Sequence, residues 1–255
     1  MTTMKKETLM KIDGSVALVT GANRGIGKAF AEELLRRGAA RVYAAARDTA
    51  TVTDPRLVPV KLDVTDSAAV TAAAADLGDV EIVVNNAGIA KSSLALSAPL
   101  DEARAQLEVN YLGLVSVTQA FAPVLAANGG GAFINMLSVA SWASVPIVAT
   151  YSASKAAAWS YTNAARLQLK LQGTQVVAVH VGAVDTDMQA GNEVEKTPPE
   201  AVATCALDAL EAGQPEAVVD EFSRSVKAAL HDDLNLLYPA LQAQYAAGNG
   251  ELTRT

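Results

Sequence analysis

Tyr151 and Lys155 stand four residues apart in Tyr151-Ser-Ala-Ser-Lys155, and Ser138 lies 13 residues before the tyrosine. On a helix this spacing puts the phenol and the ammonium on one face, one turn apart. A free phenol titrates near ~10, which makes it a weak acid and a poor base at neutral pH. A neighbouring ammonium favours the phenolate, and is expected to bring that pKa toward the working range. Ser138 ends an apolar run, so its hydroxyl should sit at the carboxyl edge of a strand, where open α/β sheets bind ligands. There it can donate to a carbonyl oxygen that gains negative charge in a transition state. Taken alone, these are two surface helix residues and a strand-end hydroxyl.

A second constellation lies near the start of the chain. Thr20-Gly21-Ala22-Asn23-Arg24-Gly25-Ile26-Gly27 follows one β-branched run and opens a helical stretch. Glycines there permit a tight turn and let backbone amides approach a phosphate, whose charge the helix N-terminus stabilises. The alternative is an ordinary strand-to-helix turn rich in glycine. Its position as the first such turn, with these flanks, favours a dinucleotide.

The elements that must hold these groups read clearly. Strands are expected at Val16–Thr20, Arg41–Ala46, Leu57–Asp63, Val80–Asn85, Ala132–Ser138, Gln175–Val181 and Glu216–Val219. They are apolar almost throughout, as strands are when helices cover both faces of a parallel sheet. Helices are expected at Gly25–Arg37, Ser67–Asp76, Leu100–Asn128, Tyr151–Gln172, Pro199–Ala212 and Glu221–Leu230. The alternation predicts one doubly wound α/β domain over 1–255, a mostly parallel seven-stranded Rossmann-like sheet with helices on both faces. Residues 1–12 read as an N-terminal tail. The crossover Arg47–Arg56 holds only ten residues, room for one helical turn.

Composition narrows the function. Twenty basic against 27 acidic residues give a net charge of −7, so there is no basic face for nucleic acid. No polybasic patch suits an anionic membrane, no apolar run approaches a span, and the N-terminus lacks an apolar signal core. A cytoplasmic location is expected. The single cysteine and two histidines leave no basis for an internal disulfide or for a Cys- or His-based metal site, and no metal is expected.

As a set, these motifs resemble the short-chain dehydrogenases/reductases. Thr20–Gly27 matches the family's T-G-x-x-x-G-x-G segment, and Asn85-Asn86-Ala87-Gly88 its N-N-A-G segment. Asn110 matches the helix asparagine, Ser138 the strand-end serine, Tyr151 to Lys155 the Y-x-x-x-K pair, and Gly182 to Thr186 the loop after the sixth strand. The likeness runs from about Ser15 to Met188; beyond it no motif is placed. It implies that Tyr151 donates the proton to the substrate oxygen. Lys155 lowers the tyrosine's pKa and holds the nicotinamide ribose, Ser138 orients the carbonyl, and Asn110 shapes its helix and a water-linked proton path. Gly21, Asn23, Arg24, Gly25, Ile26 and Gly27 would cradle the dinucleotide. Asp63 and Val64 would contact adenine, although Asp63 also reads as a plain strand-end carboxylate. Asn86, Ala87 and Gly88 would lie near the ribose, and Thr186 would bind the carboxamide. The family's proline before Gly182 is Val181 here.

The second strand ends Ala46-Arg47-Asp48. With Ala46 at the usual acidic position, Arg47 and Arg24 suit the 2′-phosphate of NADP(H). If Asp48 clamps the ribose instead, the cofactor is NAD(H). Trp142, Val145, Ile147, Leu94 and Met188 are candidate pocket walls, which favours a neutral, apolar ketone, aldehyde or alcohol; each could equally cover core. Residues 189–198 read as a substrate lid. His180 reads as a strand-end residue. The resemblance further implies a homodimer or homotetramer paired through the two long alanine-rich helices. The expectation is an NADP-dependent carbonyl reductase or alcohol dehydrogenase. The competing readings are a non-catalytic NADP-binding regulator, or an epimerase or dehydratase on the same scaffold.

Overall fold

In the computed structural model, which describes residues 9–189, 191 and 193–247, seven strands form one parallel sheet in the order β3-β2-β1-β4-β5-β6-β7. The strands are β1 (Val16–Thr20), β2 (Arg41–Ala46), β3 (Val58–Lys61), β4 (Ile82–Asn85), β5 (Gly131–Met136), β6 (Thr174–His180) and β7 (Glu216–Val218). The order reverses between β1 and β4, which opens a crevice beyond their carboxyl ends. Helices α1 (Gly25–Arg36) and α2 (Ser67–Asp76) follow the first strands. After β4 come α3 (Leu100–Leu107) and α4 (Gly113–Ala127), and after β5 comes α5 (Ala149–Leu169). Helix α6 (Pro199–Glu211) precedes β7, and α7 (Glu221–Ala229), α8 (Asp233–Leu236) and α9 (Tyr238–Ala247) end the described chain.

Alternation along the strands explains their near-continuous apolarity. Ala17 and Val19 of β1, Ile82 and Val84 of β4, and Ile134 of β5 pack in one layer with Phe30 and Leu34 of α1 and Leu207 and Leu210 of α6. Leu18, Val83 and Phe133 point the other way, onto Val70 of α2 and Val117, Phe121 and Leu125 of α4. Both faces are covered, so neither can be polar. Phe30, Phe121 and Phe133 are fully buried, each contributing about 1.5–3 kcal/mol of apolar burial.

Three features differ from the sequence reading. The stretch 100–128 is not one regular helix: a π turn at Glu108–Leu112 separates α3 from α4, and it carries Asn110. The final residues of the expected tail belong to the body: the Met10 amide donates to Gln175 Oε1 at 2.7 Å, and Ile12 is fully buried; residues 1–8 lie outside the described residues. Helices α8 and α9 have no counterpart in the sequence reading, because their apolar residues show no clean amphipathic spacing. By length and mean apolarity alone, 100–127 matches a membrane-crossing helix. Its residues Leu114, Val117, Phe121 and Leu125 are buried within the domain. The short crossover holds a single 3₁₀ turn, Thr49–Thr51.

Candidate active site

The crevice at the switch in strand order is a cavity of about 450 Å³, within the usual range for ligand sites. One end is the glycine loop. Gly21 and Gly25 have φ of +65° and +51°, a region glycine enters freely. A Cβ on Gly27 would lie 2.1 Å from the Gly21 carbonyl oxygen and 2.4 Å from Asn86 Nδ2, so only glycine lets α1 start this close to the loop. Asn86 pins the loop from β4, its Nδ2 donating to the Thr20 carbonyl at 2.9 Å and the Gly21 carbonyl at 3.2 Å. Asn23, Arg24 and Ile26 line the cavity beside the glycines.

Arg47, Asp63 and Val64, expected at the adenine, also line the cavity. The Asp63 carboxylate accepts from the Thr65 amide and hydroxyl, and these bonds, with nearby Arg47, hold its pKa below the usual range. Asp48, the alternative ribose clamp, accepts from the Ala50 amide at 3.0 Å as the cap of the 3₁₀ turn and is not among the cavity-lining residues. Arg24 pairs with Asp187 across the crevice at 2.9 Å; both side chains are largely exposed.

At the other end Ser138, Tyr151 and Lys155 meet in the same cavity. Ser138 is held on several sides. Its amide donates to Ser141 Oγ at 3.2 Å, its hydroxyl oxygen accepts from the Ala140 amide at 3.1 Å, and its carbonyl meets His180 Nδ1 at 3.1 Å. Lys155 Nζ donates to the Met136 carbonyl at 2.8 Å and lies 5.8 Å from the Tyr151 ring centre. Electrostatics differ from expectation here. Burial raises the Tyr151 phenol above its ordinary value, against a smaller downward pull from its hydrogen bond with Ser138. Burial lowers Lys155 to about 8. Desolvation outweighs the expected lowering by the ammonium, and at neutral pH the phenol keeps its proton.

Asn110 is 2% exposed. Its Oδ1 accepts from the Ile89 amide at 2.8 Å, and its Nδ2 donates to the Ile89 carbonyl and to Ser154 Oγ, both at 2.9 Å. The π turn therefore ties the segment after β4 to α5 at the residue just before Lys155. Ala87, Gly88 and Thr186 also line the cavity. The loop without its proline is tied down otherwise: Asp220, capping α7, accepts from the Gly182 amide at 2.6 Å and the Ser223 amide at 2.7 Å.

Of the expected pocket walls only Met188 lines the cavity. Trp142 instead stacks on His180, ring centres 3.7 Å apart. Leu94 and Ile147 belong to two loops that pair with each other through a 2.9 Å bond from the Ser93 amide to the Ile147 carbonyl, and Val145 is likewise outside the lining. The apolar walls the sequence did not single out include Leu62, Ile89, Val109, Met136, Leu137 and Val184. They belong to segments whose apolar residues look like core when read in order. The lid at 189–198 contains Ala190 and Asn192, which lie outside the described residues. Its C-terminal end is tied to the loop before it by bonds from the Asp185 amide to the Thr197 carbonyl and from the Thr197 amide to the Ala183 carbonyl, at 3.0 and 2.9 Å. Among the described residues no group of three or more metal-binding side chains occurs.

A parallel sheet wound 3-2-1-4-5-6-7, with a glycine-cradled crevice at the switch and a Ser–Tyr–Lys cluster inside it, places the protein in the Rossmann-like dinucleotide-binding class. The chain belongs to the short chain dehydrogenase family, whose model matches residues 15–197. It is 38% identical over 186 residues to a sorbitol dehydrogenase from Cereibacter sphaeroides, covering 69% of this chain and 73% of that protein. Its identity to a galactitol 2-dehydrogenase from Agrobacterium fabrum is 36% with the same coverage. Some relatives are longer: the chain spans 44% of a short chain dehydrogenase from Aspergillus terreus, to which it is 32% identical. Among solved structures, a short chain dehydrogenase from Burkholderia cenocepacia in complex with NADP superposes with a TM-score of 0.87 and 38% identity, over 91% of this chain and 99% of that one.

Proposed function

We propose that the protein is an NADP(H)-dependent carbonyl reductase or alcohol dehydrogenase acting on a neutral, apolar ketone, aldehyde or alcohol. The observation that carries this reading is the convergence of Ser138, Tyr151 and Lys155 with the glycine loop on one cavity. The glycine loop and the start of α1 would hold the pyrophosphate, Lys155 the nicotinamide ribose, and Thr186 the carboxamide; the cofactor, when bound, supplies or accepts the hydride. Ser138 donates to the substrate oxygen and fixes its place. Tyr151, neutral at working pH, gives its proton to that oxygen in reduction; in the oxidative direction it must first lose it, so oxidation gains at higher pH. Asn110 holds the segment after β4 in register with the site.

For the cofactor, Arg47 beside the adenine end and the use of Asp48 as a turn cap support the phosphorylated dinucleotide, as does the NADP complex of the Burkholderia relative. The apolar walls Ile89, Leu137, Val184 and Met188 support an apolar substrate. A second reading, a sugar alcohol as substrate, is favoured by the names of the sorbitol and galactitol relatives. A cytoplasmic setting and a homodimer or homotetramer accompany this proposal.

The test follows NADPH and NADH oxidation with a panel of apolar ketones and aldehydes, and the reverse reaction with apolar alcohols, sorbitol and galactitol. Turnover with an apolar carbonyl, at least about tenfold better kcat/KM for NADPH, and loss of at least about a thousandfold in kcat for Tyr151→Phe with dinucleotide binding retained are expected. A Tyr151→Phe variant keeping a tenth of the rate removes the tyrosine from its role. A tenfold preference for NADH reverses the cofactor assignment, and turnover of the polyols alone reverses the substrate class.

A further inference from the structure

His180 closes β6 with no exposed surface, stacked against Trp142 with the planes 16° apart. Its Nδ1 is 3.1 Å from the Ser138 carbonyl oxygen. Burial, opposed by the bond to the Ser138 carbonyl and reinforced by Lys227, Arg166 and Lys155, holds the imidazole down to about 4. The ring is therefore neutral at working pH, and since a carbonyl can only accept, Nδ1 carries the proton. Nε2 makes no hydrogen bond among the described residues, and the nearest carboxylate, Glu216 of β7, is 3.6 Å away. Glu216 is paired with Lys227 of α7, whose ammonium lies 5.5 Å from the centre of the Trp142 ring.

Two residues of a single turn thus close on one side chain. Ser138 begins the 3₁₀ turn Val139–Ser141 and Trp142 ends it. His180 grips the first through its N–H and the second through its face. Besides its bonds with the Ala140 amide and Tyr151, the Ser138 hydroxyl meets the residue after β6 only through a 3.4 Å contact with the Val181 carbonyl. We propose that His180 is a positioning residue: its Nδ1–H bond to the Ser138 carbonyl, braced by the Trp142 stack, sets the direction in which the Ser138 hydroxyl is aimed at Tyr151 and the substrate oxygen. The inference rests on the role given to Ser138 above and adds to it a residue that does not line the cavity.

His180→Asn and His180→Leu separate the hydrogen bond from the packing. The two replacements are close in size and both lose the stack, but only the asparagine amide can donate where Nδ1 did. Two readouts are taken. One is kcat and KM with the best carbonyl substrate, beside the dissociation constant for NADPH. The other is the titration of Tyr151, as the ultraviolet difference between each protein and its Tyr151→Phe counterpart. His180→Leu should lower kcat about tenfold to a hundredfold, with dinucleotide affinity within about twofold, since small misplacements at a reacting centre cost rates of this order. It should also raise the tyrosine titration, because Ser138 pulls it down. His180→Asn should recover most of both. If His180→Leu does not fold, His180→Phe, which keeps a ring against Trp142 and lacks the N–H, takes its place. Equal kcat and equal Tyr151 titration in the asparagine and apolar variants overturn the proposal. If the wild type turns over nothing, the enzymatic reading falls while the titration still reads the link from His180 to Ser138.

Discussion

A buried imidazole held neutral is a liability in acid. His180 binds a proton near its ordinary value of 6.5 when the chain is unfolded, but only at about 4 when folded. Between those values the unfolded state holds more protons. Stability is therefore complete above pH 6.5 and is lost as pH falls toward 4, by up to about 3 kcal/mol from this residue. Urea unfolding of the wild type and His180→Asn at pH 7 and pH 4.5 measures it: the asparagine variant should lose less stability on acidification, and parallel losses would show that His180 does not titrate in this range. At the residue scale the chemical groups were legible. Ser138, Tyr151, Lys155 and the glycines are short-range motifs with fixed spacing. What the residues feel was not. The direction of the Tyr151 shift depends on the depth of burial, which no motif states, and Trp142 turned from the cavity toward a histidine on the neighbouring strand.

At the scale of elements, the glycine loop depends on close approach more than on any side chain. A methyl group at position 27 would meet the Gly21 carbonyl at 2.1 Å and Asn86 Nδ2 at 2.4 Å, and neither is a flexible tip, since Asn86 is bonded into the loop. Gly27→Ala should cost about 1–3 kcal/mol of stability and displace the loop from a bound phosphate. Calorimetric NADPH binding checks this, and an affinity equal to wild type would mean that α1 can yield without moving the loop. Strands and most helices were legible because both periodicities are strong in this chain. The π turn was not, because an extra residue within a helix leaves the apolar pattern nearly intact. Asn110 explains the turn: its amide is spent on Ile89 and Ser154, a task needing a side chain aimed out of the regular spiral. Helices α8 and α9 escaped for the opposite reason, a weak pattern in a segment with mixed polarity.

At the scale of the whole molecule, apolar residues remain on the outside of the long helices. Leu112 is 45% exposed and Leu167 of α5 is 75% exposed. Exposed apolar side chains on a helical face are candidates for burial in an assembly. Light scattering on the 26.3-kDa chain should return a dimer or tetramer, whose stability would rise with protein concentration. A monomer across the micromolar range would leave these leucines without a role. A parallel sheet with helices layered on both faces was readable from the alternation of elements alone, since parallel pairing forces crossovers onto the faces of the sheet; the strand order 3-2-1-4-5-6-7 came from the structure.

The carboxylate of Asp220 reaches the Gly182 amide from beyond residue 197, where the family match ends. The side chains proposed for the chemistry thus lie in one part of the chain, and the brace for the loop that carries Thr186 in another. A chimera grafting a relative's C-terminal segment onto residues 1–197 would inherit the side chains proposed to handle protons, yet its loop would answer to a foreign anchor. Exchange of that tail-end cassette is accordingly a route by which descendants could diversify what they accept without rewriting how they react.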